Sequence, residues 1–84
     1  MSIKRDNVFG SRLKELRVKA SEPQRTLAEL LGVSVTQISD MEKGRRTTGI
    51  DNIVLLCRHH NISADYLLGL TDEPRPLEDS ADEQ

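Results

Sequence analysis

The chain has 84 residues, a formal net charge of −2 and an aromatic content of 2 %, from Phe9 and Tyr66 alone. That length accommodates one small domain with an aliphatic core, and we expect no separate catalytic or ligand-sensing domain beside it. No apolar run approaches membrane-spanning length and nothing resembles a signal peptide, so we expect a cytoplasmic protein without a membrane partner. The single cysteine, Cys57, cannot form an intrachain disulfide, which fits a reducing compartment.

The charge is unevenly distributed along the chain. Residues 1–71 hold eleven basic and eight acidic side chains, a net charge of +3, whereas residues 72–84 hold one Arg and six acids, a net charge of −5. Non-specific affinity for DNA depends on where cations cluster rather than on the total, so the acidic total does not exclude DNA. We predict a flexible N-terminal arm over residues 1–6, a folded domain over residues 7–70, and an acidic, disordered tail over residues 71–84.

Two helices are predicted in the first part of the domain. Asn7 is a plausible N-cap for the first helix. The apolar positions of this helix recur at i, i+4, i+7 and i+11: Phe9, Leu13, Leu16 and Ala20. Pro23 suits the first turn of a second helix, which buries Leu27 and Leu31 and ends at Gly32.

Three further helices follow. Ser34 and Gln37 have capping-box spacing, which predicts a third helix from Ser34 that ends before Gly44, with Ile38 and Met41 inside. Thr48 to Asp51 repeats this start signal for a fourth helix. Its inner positions are Ile53, Leu56, Cys57 and His60. Ser63 then caps a fifth helix over residues 64–70. No alternation typical of strands is present, so the sequence predicts an all-α fold of five helices.

The second and third helices form a recognisable unit. Ala28 supplies a small side chain where two helices cross, Gly32 tolerates a left-handed corner, and Ile38 is an apolar anchor for the second helix of the pair. This combination is the signature of a helix-turn-helix, whose second helix lies in the DNA major groove.

The order of helices resembles the Cro/repressor-type, or XRE-like, helix-turn-helix family of phage and bacterial regulators over about residues 8–70. The matching segments are Phe9-Gly10, Leu16-Arg17, Gln24, Leu27-Ala28, residues 31–34, Ile38-Ser39, residues 42–44 and residues 62–69. The sequence departs from the family pattern at Pro23, Asp40, Thr48 and His60. The resemblance implies a lambda-repressor-like domain with the helix-turn-helix at helices two and three. It also implies sequence-specific binding of double-stranded DNA by a small prokaryotic or phage regulator, a repressor acting as a two-fold dimer on a palindromic operator in the cytoplasm or nucleoid.

Candidate DNA contacts follow from this frame, with a recognition helix over Ser34–Lys43. If Ile38 and Met41 point inward, the outward stripe supplies the expected base contacts: Val35, Thr36, Ser39 and Asp40. By resemblance, Gln24 contacts the phosphate backbone at the start of helix two. The other expected phosphate contacts are Arg25, Lys43, Arg45 and Arg46. The alternatives are that the outward stripe is only a solvated helix face and that Arg45-Arg46 belong to a solubilising loop.

The remaining expectations concern structure and assembly. The resemblance implies an ion pair between Arg17 and Glu42 that orients the third helix. Nothing else in so short a chain offers a dimer interface, so we expect one on helix five, formed by Tyr66, Leu67 and Leu70, although Leu67 is also a candidate for the core.

The sequence also offers features of two other classes of function. Cys57 and His60 share a helix face, but no nearby residue completes a tetrahedral zinc site, so we assign both to the core and expect no metal, cofactor or enzyme activity. The stronger rival is an antitoxin-type protein-interaction module with autoregulatory DNA binding, in which the acidic tail with Leu77 folds onto a basic protein partner. A tail that only aids solubility is the simpler alternative.

Overall fold

The computed structural model describes residues 7–77, and within that range the chain forms α-helices and no strand. The helices are α1 Val8–Lys19, α2 Gln24–Leu31, α3 Val35–Glu42, α4 Ile50–His60 and α5 Ala64–Leu67. The predicted all-α class with five helices is confirmed. None of the helices in residues 7–77 is long and apolar enough to cross a membrane.

The core is aliphatic and draws on every helix. The side chains with no exposed surface come one from each helix in turn: Leu13, Leu27, Ile38, Leu56 and Leu67. Cys57 is buried beside them, as expected, and its burial raises the pKa of the thiol. Ala20 was expected to extend the apolar stripe of α1, but it caps the end of that helix and is exposed, because α1 stops at Lys19.

The helix-turn-helix corner has the predicted local geometry. Gly32 adopts φ +70° and ψ 34°, in the left-handed region that favours glycine, and the Val33 amide donates to the Ala28 carbonyl at 3.0 Å. Ala28 is buried at the corner. At the start of α3, the Gln37 amide donates to Ser34 Oγ at 3.1 Å, and the Ser34 amide donates to Gln37 Oε1 at 3.0 Å. The predicted capping box is therefore complete.

Other helix starts differ from the predictions. Asn7 is the N-cap residue of α1, as predicted, but its side chain makes no capping hydrogen bond, and its Nδ2 donates to the Glu42 carbonyl at 3.3 Å. Pro23 is the N-cap residue of α2 and not part of its first turn. Gly49, not Thr48, is the N-cap residue of α4, and Thr48 Oγ1 accepts a hydrogen bond from Asn52 Nδ2 at 2.7 Å.

The first and third helices touch backbone to backbone. A Cβ atom added at Gly10 would meet the carbonyl oxygen of Met41 and would lie 2.8 Å from that of Glu42. No side chain fits between α1 and the end of α3, so a glycine is required here by close approach rather than by its backbone angles.

The end of the domain departs from prediction in two ways. Helix α5 ends at Leu67 instead of residue 70, because Gly69 turns left-handed at φ +86° and the Leu70 amide donates to the Asp65 carbonyl at 2.8 Å. Residues 71–77, which were expected to belong to a disordered tail, contact the bundle instead. Arg12 Nη1 donates to the Thr71 carbonyl at 2.6 Å, and the Ser63 amide donates to the Arg75 carbonyl at 2.8 Å.

Arg12 is the side chain that holds this segment. Its Nη1 also donates to the Tyr66 carbonyl at 2.6 Å, its Nη2 lies 2.8 Å from Asp72 Oδ1, and the guanidinium carbon is 4.1 Å from the centroid of the Tyr66 ring. The predicted arm over residues 1–6 and the remainder of the tail, residues 78–84, lie outside the described residues. A role for that tail in binding a protein partner stays a prediction.

Candidate nucleic-acid interface

Helix α3 has one face in the core and one face uncovered by the rest of residues 7–77. Ile38 and Met41 are buried on the inner face. The expected base contacts lie on the other side, where Val35 and Thr36 are exposed and Ser39 and Asp40 are half-buried. The short side chains at these positions leave the outer face free of bulk.

Asp40 has a cationic neighbour in the loop that follows α3. Its Oδ1 lies 3.8 Å from Arg45 Nη1, and the Arg45 amide donates to the Asp40 carbonyl at 2.8 Å. The Arg45 side chain is largely exposed, so this ion pair contributes at most ~1 kcal/mol to stability and is easily exchanged for another partner.

Ser39 lines a small cleft where α1, α2 and α3 meet. Lys14, Gln24 and Lys43 line the same cleft, together with the charged groups of Arg17 and Glu42. Lys14 was not among the expected DNA-contacting residues. Its position three residues before Arg17 places both on one side of α1, which is the signal in the sequence that could have found it.

A buried ion pair lies behind this cleft. Arg17 Nε lies 2.6 Å from Glu42 Oε2, and Arg17 Nη2 donates to Glu42 Oε1 at 3.1 Å. The whole Glu42 residue is 7 % exposed, so the carboxylate is withdrawn from water. The hydrogen bond to Glu42, opposed by burial and reinforced by the charges of Glu42 and Glu22, raises the pKa of Arg17. The fork-to-carboxylate geometry fixes the rotation of α3 relative to α1.

Gln24, expected to contact phosphate, is also held by Glu42. Its Nε2 donates to Glu42 Oε1 at 3.0 Å, which brings the first residue of α2 to the end of α3. An amide NH₂ has two hydrogens, so one donor of Gln24 remains for an outside acceptor.

The remaining expected phosphate contacts lie at the same end of the helix-turn-helix. Lys43 caps α3, Arg45 and Arg46 follow it, and Arg25 is the second residue of α2. All four side chains are exposed. Lys43 lines the cleft together with Lys14, and the other three place positive charge on α2 and on the loop after α3.

The residues expected at a dimer interface divide into two groups. Tyr66 and Leu67 lie in the core, with 6 % and 0 % exposure, so their side chains offer no surface to a second copy. The Tyr66 hydroxyl donates to Glu15 Oε1 at 2.8 Å, and burial, reinforced by the hydrogen bond and charge of Glu15, raises the pKa of Tyr66. Leu70 is 76 % exposed, as the prediction required. A helix of four residues is too short for periodicity to separate its inner from its outer side chains.

Comparison with known proteins identifies the family. The helix-turn-helix family model matches residues 13–67. The chain is 33 % identical over 69 residues to the uncharacterized HTH-type transcriptional regulator YobD of Bacillus subtilis, covering 82 % of this chain and 62 % of YobD. It is 40 % identical over 61 residues to the HTH-type transcriptional regulator ImmR of the same organism, covering 73 % of this chain and 48 % of ImmR. The matched regions therefore span about half to three-fifths of these relatives.

A solved structure shares the architecture. The restriction-modification controller protein C.AhdI of Aeromonas hydrophila superposes with a TM-score of 0.63 at 35 % sequence identity, over 71 % of this chain and 91 % of that one. The same helix-turn-helix unit is indicated by the capping box of α3, by the left-handed Gly32 corner and by the family match over residues 13–67. The chain belongs to the XRE-type helix-turn-helix family of DNA-binding transcriptional regulators.

Proposed function

We propose that this protein binds double-stranded DNA in a sequence-specific manner and regulates transcription, with α3 in the major groove. The observation that carries the proposal is the division of α3 into a buried inner face and an uncovered outer face of small polar and aliphatic side chains. Such a helix fits the groove closely, and its outer side chains take no part in the hydrophobic core.

The outer face offers three kinds of base contact. The methyl groups of Val35 and Thr36 suit the methyl group of thymine, and the Thr36 and Ser39 hydroxyls can donate or accept hydrogen bonds. The Asp40 carboxylate can accept a hydrogen bond from cytosine N4. Asp40 would be repelled by phosphate, so it contributes selectivity rather than affinity.

The exposed cations of α1, α2 and the loop after α3 supply the sequence-independent part of binding. We assign phosphate contacts to the free donor of Gln24 and to four cations: Arg25, Lys43, Arg45 and Arg46. Lys14 joins this group because it lines the cleft with Lys43. These contacts fix the pose of the domain on the duplex, and the adjacent buried ion pair fixes the angle of α3 within that pose.

We further propose a repressor that acts as a two-fold dimer, with recognition helices about 34–36 Å apart on a palindromic operator. Because Tyr66 and Leu67 are buried, the interface is assigned to exposed apolar residues next to α5 and on α4, with which α5 is in contact. They are Leu68, Leu70, Ile50 and Val54. Sedimentation with and without operator tests this assembly, and a monomer on a non-palindromic site would contradict it.

The central experiment is selection of bound sequences from a random DNA pool, followed by binding titrations with two matched variants. Asp40→Ala is expected to relax the preference at one base pair while overall affinity stays equal or rises. Arg46→Ala is expected to weaken binding on all sequences alike and to lower the salt dependence by about one counterion. A uniform loss in Asp40→Ala would contradict the base contact. If no oligonucleotide is preferred over any other, the proposed function is wrong.

A further inference from the structure

Three side chains that can bind metal ions converge on the side of the bundle where α4 ends. Glu22 lies in the turn between α1 and α2, and His59 and His60 are the last two residues of α4. One ligand atom of each lies within 4.8 Å of those of the other two. His59 Nε2 is already 2.7 Å from Glu22 Oε2, and the two imidazole rings meet edge to face with centroids 4.8 Å apart.

Two atoms of this cluster are buried without a hydrogen-bond partner in the described part of the chain: Glu22 Oε1 and His60 Nε2. Buried polar atoms are almost always paired with protein, water or an ion, so an orphaned pair in one cluster requires an explanation. An ion pair between His59 and Glu22 accounts for the other carboxylate oxygen only. It provides no hydrogen-bond partner for Glu22 Oε1 or for His60 Nε2.

We propose that Glu22, His59 and His60 form a binding site for a divalent transition-metal ion of the Zn²⁺ class. Two imidazoles and one carboxylate are a ligand set that such ions accept, with a fourth position left for water. Nitrogen ligands disfavour Mg²⁺ and Ca²⁺, which require oxygen. The site is separate from the α3 face, and the proposal does not rest on the proposed DNA binding.

The geometry asks for small adjustments only. Bonds of about 2.0–2.2 Å to a tetrahedral ion place the ligand atoms about 3.3–3.5 Å from one another. The closest pair, at 2.7 Å, therefore opens by less than an ångström, and a pair at 4.8 Å closes by about 1.5 Å. Neighbouring residues in a helix ordinarily point in different directions. Here the two histidines lie at the helix end, before Asn61 turns left-handed at φ 51°, and their rings are already in contact.

The third ligand is held in place by its backbone. Ser21, in a left-handed conformation with φ 57°, turns the chain so that the Glu22 amide donates to the Arg17 carbonyl at 3.0 Å. Arg17 Nη1 donates back to the Glu22 carbonyl at 2.9 Å. Arg17 is the partner of Glu42, so a metal ion would join the end of α4 to the same network that orients α3.

The test uses the full chain without an affinity tag of histidines. Zn²⁺ is titrated by calorimetry, Co²⁺ binding is followed by its visible absorption, and Mg²⁺ serves as a comparison ion. We expect one Zn²⁺ per chain and a rise in the melting temperature on binding, because the ion favours the folded state. Glu22→Gln, His59→Gln and His60→Gln are each expected to weaken Zn²⁺ binding at least tenfold.

Two control variants separate this site from other sources of metal affinity. Glu29→Gln removes an exposed carboxylate elsewhere on the surface, and Cys57→Ala removes the thiol one turn before His60. Both are expected to bind Zn²⁺ as the unaltered chain does, with unchanged far-UV circular dichroism. The assignment is overturned if Glu22→Gln and His60→Gln bind as tightly as the unaltered chain. It is equally overturned if Cys57→Ala abolishes binding, or if no stoichiometric binding occurs.

Discussion

Replacing Glu42 by Gln is expected to lower the free energy of unfolding by about 3 kcal/mol. The carboxylate accepts hydrogen bonds from Arg17 Nε at 2.6 Å, Arg17 Nη2 at 3.1 Å and Gln24 Nε2 at 3.0 Å. Glutamine has the same size as glutamate, but an NH₂ group replaces one of the two carboxylate oxygens. That NH₂ group cannot accept a hydrogen bond from the Arg17 guanidinium. Breaking a buried pair costs about 3–5 kcal/mol, and the partial exposure of Arg17, 14 % of its side chain, favours the lower end.

The assay is urea denaturation followed by circular dichroism, with DNA binding measured on the same samples. A core of this size supplies only ~3–5 kcal/mol in total, so Glu42→Gln should be near its unfolding midpoint even without denaturant. The double variant Arg17→Met with Glu42→Leu removes both charges and should recover most of the loss, because no lone charge stays buried.

The matched control is Lys19→Ala, which removes a surface ion pair with Glu15 at 3.7 Å, where both side chains are well exposed. It should change stability by no more than about 0.5 kcal/mol. A loss below 1 kcal/mol in Glu42→Gln would refute the reasoning. Loss of DNA binding with unchanged stability would also refute it, since Glu42 would then act directly on DNA rather than by orienting α3.

Three further predictions concern the packing of the bundle. Gly10→Ala should cost at least about 1–3 kcal/mol, measured by urea denaturation, because its Cβ meets the α3 backbone; Gly49→Ala, where nothing lies within 4 Å, should cost less than about 1 kcal/mol. Because the pKa of Tyr66 is raised in the folded protein, its contribution to the free energy of unfolding is complete below the unfolded pKa of about 10. That contribution is lost as the pH rises through the folded pKa. Urea denaturation of the unaltered chain should therefore show extra destabilisation above pH ~10 that Tyr66→Phe lacks. Arg12→Met should speed hydrogen exchange of the Ser63 amide, which bonds residue 75, while amides of α2 and α3 keep their protection. Equal exchange in both proteins would show that Arg12 does not retain the C-terminal segment.

Structural features that depend only on residues a few positions apart could be predicted from the sequence. The capping box at Ser34 depends on atoms three residues apart, and the Gly32 corner depends on one pair of backbone angles. The buried positions of the longer helices follow from a period of 3.6 residues. These local rules were sufficient to place α3 and to divide its faces.

Contacts between distant residues were mostly missed, because no period or spacing encodes them. The Asn7 side chain bonds to a carbonyl 35 residues away and makes no capping bond to its own helix. The Arg12 side chain bonds to carbonyls that lie 54 and 59 positions further along the chain. Glu22 and His59 are separated by 37 positions, so no spacing in the sequence connects this carboxylate with the histidines. The Arg17–Glu42 pair was anticipated only through family resemblance. Its spacing of 25 residues carries no signal of its own.

The exposed outer face of α3 has a consequence for how such a regulator diversifies. Val35 and Thr36 contribute little to the core, so most replacements there should change stability by less than about 0.5 kcal/mol. A lineage can therefore try new side chains at these positions without first acquiring compensating mutations in the scaffold. Duplicated copies of the gene could acquire separate binding sites in few steps, each passing through a protein that still folds.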